Sequence, residues 1–242
     1  MRSNLASSAL VRVLAQWTPA PDAGAPADAD ADIIERLSQW VSAFDAIELH
    51  AAQQSVRAIN QAAETPVRAK GRRGAPADLS ADFDRARMTL VRAISLDAAL
   101  PNEFTYAPYK RRHFELQRQM DQLIGVLRDH VREVLSGAST ALRQLATLDA
   151  ALQKVTAPRE QALFPVASAL LERRFEQLRK AHLKDMQASA QEDDPATWRK
   201  PGRWLHAFEI DWRQTLLAEL EVRLEPTAAL VEAGGCELKN YQ

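Results

Sequence analysis

A row of apolar residues with a seven-residue period constrains this chain more than any other feature. Met120, Leu127, Val134, Ala141, Leu148 and Val155 stand seven apart, and Ile124, Val131, Ala138, Leu145 and Leu152 lie four further on, giving eleven apolar seam positions without exception. An α-helix brings such positions onto one stripe, and the stripe has to be covered, either by later helices or by a second copy of the chain. Within it "SGAST", residues 136–140, offers Gly137 as a helix stop and Ser139 as a fresh N-cap. We therefore expect a break or kink there in the long element at 109–157.

The rest of the chain is also written in helical periods. Leu5, Ala9, Leu10, Val13, Leu14 and Trp17 give a short helix over 4–17, followed by the acidic linker "TPAPDAGAPADAD". Ile33, Leu37, Trp40, Val41, Phe44, Ile47, Ala51, Ser55 and Ile59 then form one stripe of a long helix, and "ETPVRAKGRRGAPADLS" is a basic linker after it. Ser80 reads as the next N-cap, with Asp82 and Asp84 in the first turn and Phe83, Arg87 by its stem, Leu90, Val91 and Ile94 on the buried face. Pro158 and Pro165 punctuate the stretch before a helix at 159–189, marked by Ala167, Leu171, Phe175, Leu178, His182 and Met186. The last helix, 202–225, carries Trp204, Phe208, Trp212, Leu216, Leu220 and Leu224 at a spacing of four. Such a row drifts about 40° per step and needs cover from more than one side. Pro226 is expected to end it.

The expected fold is all-α, an elongated bundle of six or seven helices around a long heptad-patterned central element, with no sheet. Its parts are a short helix and linker at 1–30, a long helix at 31–63, a flexible basic linker at 64–79, a bundle core at 80–226 and a frayed tail at 227–242. Composition agrees: 46 % apolar residues in 242 supply a core, while eight glycines and 6 % aromatics lean away from a β-sandwich.

Charge and cysteine usage narrow the partners. A net charge of −1 gives no global field for nucleic acid, although the middle of the chain is basic and its end acidic. Cys236 is the only cysteine, which excludes an intrachain disulfide and a cysteine-held metal and suits a reducing cytoplasm. No apolar run reaches the roughly 18 residues of a membrane span, and Arg12 interrupts the N-terminal stretch that would otherwise resemble an export signal. A cytoplasmic protein without direct membrane insertion is expected.

Motifs for chemistry are missing. His50, His113, His130, His182 and His206 never fall at H-x-x-x-H, H-E-x-x-H or E-x-x-H spacing, so no metal site or cofactor is expected, and His182, in an apolar row, reads as a hydrogen-bonded interior or interface histidine. No nucleophile elbow or phosphate loop occurs, so no catalytic residue is named. One local contradiction remains. Lys110, Arg111 and Arg112 stand in the first turn of a helix, where the dipole disfavours cations, beside Tyr106 and Tyr109. These five are the candidate anion- or partner-binding residues. Glu192, Asp193, Asp194, Glu219, Glu221 and Glu225 are the acids of the chain nearest to hand. Packing of the aromatics around Pro108 is the plainer reading of Tyr106 and Tyr109, against a nucleic-acid platform.

Several stretches, taken in order, carry a resemblance: "SALVRVLAQW" (8–17), "RLSQW" (36–40), "DAI" (45–47), "AP" (107–108), "LDA" (148–150), "LLERRFEQLR" (170–179) and "LLAELEVRLEP" (216–226). The chain resembles an uncharacterised proteobacterial family, domain of unknown function 3348. Residues 50–74 and the tail after Pro226 depart from its pattern. The resemblance implies a helical fold and a lineage but no reaction, cofactor or site residue; gene neighbourhoods of that family imply envelope proteins as a partner class. The expected function is a non-catalytic cytoplasmic scaffold or adaptor that docks protein partners or itself. An enzyme with a pocket hidden from sequence is the alternative, and a nucleic-acid-binding helical protein a more distant one. An exposed apolar groove favours docking, and titratable groups gathered in a concavity favour an enzyme.

Overall fold

The computed structural model describes residues 9–17, 43–64, 78–96, 105–189 and 193–240. Six α-helices and one 3₁₀ turn make up the described residues, with no strand among them: α1 (Ala9–Ala15), α2 (Ala43–Glu64), α3 (Leu79–Ser95), α4 (Ala107–Ala138), α5 (Thr140–Ser189), the 3₁₀ turn Pro195–Thr197 and α6 (Trp204–Asn240). The fold is all-α. The expected acidic linker, residues 65–77 of the expected basic linker and the apolar positions 33–41 lie outside the described residues, while Glu64 and Leu79 belong to helices.

Local chemistry accounts for several ends. Ser139 is the one non-helical residue between α4 and α5, and its Oγ accepts the N–H of Leu142 at 3.1 Å, so the expected N-cap is in place. Gly137 is not a left-handed stop; among the described residues Gly202 is the glycine with positive φ, at 83°. The cap of α3 is Asp78 rather than Ser80, because Asp78 Oδ1 accepts the Ala81 N–H at 3.0 Å. On α3 the buried side chains are Leu79, Ala86, Leu90 and Ile94, while Arg87 is exposed.

The prolines do not end helices. α5 continues through Pro158 and Pro165, so 140–189 is one element instead of two. The carbonyl that Pro158 leaves without its helix donor belongs to Lys154, and both residues lie on the solvent side of α5. α6 likewise runs past Pro226 to Asn240, and the segment expected as a frayed tail is helical. An interior proline costs about 3 kcal/mol. Burial of Leu224 at 3 %, Thr227 at 0 % and Leu230 at 3 % exposure on either side offsets that cost, at about 1.5–3 kcal/mol for each leucine.

The chain forms two compact units that share α3 to α6. One comprises Met1–Thr18, Ala86–Ile124 and Ala162–Leu224. In it α4 meets α6 through Tyr109–Glu209, Gln117–Glu219 and Asp121–Arg223, so these segments run parallel. α5 meets α6 through Arg174–Asp211 and His182–Trp204, so these two run antiparallel. Its core is aromatic: Phe208 stands edge-on to both Tyr109 and Phe175 at centroid distances of 5.0 Å, and Tyr109 is tilted against Phe175 at 6.0 Å.

The second unit comprises Pro19–Arg85, Gly125–Gln161 and Glu225–Gln242. Here α4 and α5 fold back on each other, since Arg128 touches Asp149 although a straight helix would place residues 21 apart at about 30 Å. α2 lies antiparallel to α5, tied by Glu48–Lys154 and Asn60–Gln144. The core is aliphatic, with Leu79, Val131, Leu135, Leu142 and Leu230. Gly234 of α6 sits so close to Leu135 that an added Cβ would come within 2.8 Å of its Cδ2.

Candidate functional site

The aromatic pair at the start of α4 faces inward. Tyr106 and Tyr109 are 5 % and 2 % exposed, packed on Phe175 and Phe208. The Tyr106 hydroxyl donates to the Ser168 carbonyl at 3.0 Å, and the Tyr109 hydroxyl to Glu209 Oε1 at 2.7 Å. Burial pushes the Tyr106 hydroxyl up to about 12, and burial with the neighbouring Glu209 raises Tyr109 as well. Neither ring is available to a partner.

The three cations point elsewhere. Lys110 lies 3.8 Å from Glu172, both half exposed. Arg112 donates to the Ala93 carbonyl at 3.3 Å and lies 3.5 Å from Glu115. Arg111 is exposed, with no ion pair shown among the described residues. The anion that answers Lys110 is therefore Glu172, not the acids at 192–194 or 219–225. Asp193 instead accepts from His182 Nε2 at 3.0 Å and Trp198 Nε1 at 2.7 Å, which is the hydrogen-bonded histidine expected at 182. Burial acts to raise the Asp193 carboxyl, but the bonds from Trp198 and His182 outweigh it and hold the group below its usual value.

Two ionisable clusters are buried, one in each unit. Arg128 donates to both oxygens of Asp149 at 2.9 and 2.6 Å, and Arg132 Nε adds a third bond at 2.6 Å. Arg132 also donates to Asp129, to the Asp149 carbonyl and to Gln153. Burial acts to raise the Asp149 carboxyl, but the two guanidiniums overcome it and hold the group below its usual value. In the aromatic unit His113 and Glu219 are both 0 % exposed, with His113 Nε2 3.5 Å from Glu219 Oε2. Gln117 donates to Glu219 Oε1 at 2.6 Å, Arg223 Nη2 lies 3.8 Å from the same oxygen, and Arg223 Nη1 pairs with Asp121. Both ring nitrogens of His113 and Oε2 of Glu219 lack a hydrogen bond. Burial drives Glu219 up to about 7, against Arg223, and burial with Arg223 drives His113 down to about 4.

Sequence reading named Glu219 only as an acid that could answer the cations at 110–112, and His113 only as a histidine outside any metal-ligand spacing. The signal was the spacing of four in α6, which demands cover on several sides; Thr215, Leu216, Ala218, Glu219 and Leu220 are indeed all buried. No group of three or more metal-ligating side chains assembles among the described residues. A cleft of about 420 Å³ lies between α2, the end of α4 and the start of α5, lined by Glu48, Ser55, Arg132, Thr147 and Lys154 among small alanines. Most of its polar side chains bond within the protein: Ser55 to the Ala51 carbonyl, Thr147 to the Arg143 carbonyl, Arg132 to Asp149, and Lys154 with Glu48.

The heptad seam divides in two. Met120, Ile124, Leu127 and Val131 on α4 are 0 to 7 % exposed. On α5, Leu148 and Leu152 are 42 % and 49 % exposed, with Leu145 and Val155 half-buried beside them. The α5 helix turns its other sides to the protein, through Leu142, Ala146, Asp149 and Ala151. The seam residues at 145, 148, 152 and 155 therefore form an outward apolar stripe at coiled-coil spacing. No helix among the described residues is long and apolar enough to cross a membrane.

Neither the curated proteins nor the solved structures contain a match to this chain. A family model does match, over residues 1–235, and so takes in the stretch at 50–74 and the helix beyond Pro226 as far as Gly235. The chain belongs to that family, described as "Protein of unknown function (DUF3348)".

Proposed function

We propose that this is a non-catalytic helical docking protein of the cytoplasm, which binds protein partners or a second copy of itself through the outward half of its heptad seam. The observation that carries the reading is the stripe Leu145, Leu148, Leu152 and Val155, apolar at a and d spacing yet turned to solvent at its two central leucines. The family resemblance favours envelope-linked partners.

Magnitudes set the strength of such a contact. The two central leucines, at about half exposure, supply roughly 1.5 to 3 kcal/mol on burial, taking about half of 1.5–3 kcal/mol each, and Leu145 and Val155 add less. Association itself costs about 4 to 15 kcal/mol. The stripe is thus the centre of a larger face, and docking through it is reversible. The test is the double variant Leu148→Lys with Leu152→Lys. Self-association is measured by sedimentation velocity, and partner contacts by cross-linking in cells with the linked residues mapped. The variant is expected to keep its helix content and lose the association and the cross-links that map to 140–157. A wild-type chain that stays monomeric without cross-links in that segment, or a variant that keeps them all, overturns the reading.

A further inference from the structure

The buried cluster around Glu219 has a property that packing alone does not require. A carboxyl group with no solvent exposure is normally either fully paired or neutral. Glu219 is neither fully paired nor far from cations: Oε1 is held by Gln117 at 2.6 Å, while Oε2 faces His113 Nε2 at 3.5 Å, and neither of those two atoms has a hydrogen bond. One proton satisfies both. With that proton on Glu219, Oε2–H donates to His113 Nε2 after a small side-chain rotation, and two orphaned buried atoms become a neutral pair.

Arg223 gives the pair something to act on. Its guanidinium already spans two carboxylates, Nη1 on Asp121 at the surface and Nη2 at 3.8 Å from Glu219 Oε1. Asp121 is 66 % exposed and keeps its hydration if released, whereas an ionised Glu219 has no water to turn to. We infer that His113 and Glu219 hold a single proton between them, and that its loss to solvent draws Arg223 from Asp121 into the core, a proton-operated switch in the contact between α4 and α6.

The charged and polar groups of the cluster come from α4 and α6. From α4 the facing groups are His113, Gln117 and Asp121, and from α6 they are Glu219 and Arg223. Glu209, the other buried acid of α6, is engaged by Tyr109 and Arg199. The buried side chains that α3 and α5 give this unit, Leu90, Ile94, Leu171 and Phe175, are apolar, and Ser168 is taken by Tyr106. The elevation of Glu219 to about 7 places the event near neutral pH. This device is independent of the docking stripe.

The test is NMR of the full chain across pH 5 to 9, following glutamate side-chain carboxyl carbons and the Nε resonance of Arg223. In the wild type one carboxyl is expected to titrate near neutrality, with the Arg223 resonance moving at the same midpoint. Glu219→Gln, close in shape, abolishes both. Asp121→Asn, at an exposed position, lowers the midpoint by about half a pH unit, because the ionised Glu219 no longer competes for the arginine. A wild type with no carboxyl titrating above pH 6 overturns the inference. So does an Arg223 resonance that stays still through the carboxyl titration, or an Asp121→Asn variant with an unmoved midpoint.

Discussion

Asp149 and Glu219 are both carboxyl groups buried among helices with arginine beside them, one in each unit, and their chemistry has gone opposite ways. Asp149 receives three charge-assisted bonds from two guanidiniums and is held ionised. Glu219 receives one short bond from an amide, shares its arginine with Asp121, and is pushed up to about 7. Burial is nearly the same for the two side chains, at 8 % and 0 % exposure, so depth does not decide the charge state. The number of donors that reach the carboxylate does.

The largest break in this comparison comes from Asp149→Asn. It strands Arg128, which is 7 % exposed, without its counter-charge and leaves Arg132 only its exposed pair with Asp129, and is expected to cost about 3 to 5 kcal/mol in denaturant unfolding. A loss below about 1 kcal/mol would mean that water reaches the arginines. The same pairing gives acid sensitivity. Asp149 is held below its usual value, so its contribution is present at neutral pH and is lost as pH falls through its folded value.

The aromatic unit responds to pH differently. Glu219 is raised from 4.5 to about 7, so its contribution is greatest below 4.5 and is lost as pH rises through 7. His113 is lowered from 6.5 to about 4, so its contribution is present above 6.5 and is lost as pH falls through 4. Between 4.5 and 6.5 the two slopes oppose each other, and the pair's contribution is flat. Glu219→Gln removes one slope, so stability should then rise by about 3 kcal/mol from pH 4 to 6.5 relative to wild type. His113→Gln should do the reverse, with stability falling from pH 4.5 to 7. Parallel profiles for wild type and both variants would refute the compensation.

A third carboxylate extends the comparison to the surface. Glu172 meets Lys110 at 3.8 Å with both side chains about half exposed, and such a pair contributes about 0 to 1 kcal/mol. Replacing Lys110, Arg111 and Arg112 together by alanine is therefore expected to change unfolding stability by less than about 0.5 kcal/mol and to leave circular dichroism intact. A larger loss would trace to Arg112, the one of the three that is partly buried and bonded to the Ala93 carbonyl.

The residues differ in how far sequence reveals them, and the reason is local against tertiary. Helical periodicity and the Ser139 cap are written within a few residues of where they act, and both are where the sequence puts them. Pro226 states a local cost just as clearly, yet the offsetting term is burial of Leu224, Thr227 and Leu230 against other helices, which no window around the proline contains. Tyr106 and Tyr109 look alike as surface rings or core rings until Phe175 and Phe208, more than 60 residues away, are brought against them. Glu219 is hidden for the same cause: its neighbours His113 and Gln117 stand over 100 positions earlier. The seam illustrates the middle case, since its period fixes the stripe but not which half the other helices leave open.

The glycine pair near the end of α6 separates two kinds of freedom. At Gly234 a methyl group would meet Leu135 Cδ2 at 2.8 Å, and Leu135 is 1 % exposed with little room to retreat, whereas at Gly235 nothing lies within 4 Å. In a saturation library the two adjacent codons should behave as opposites. Position 235 tolerates most residues, with alanine there gaining up to about 1 kcal/mol of helix propensity. Position 234 tolerates few, and the first compensating change to arise would shorten Leu135.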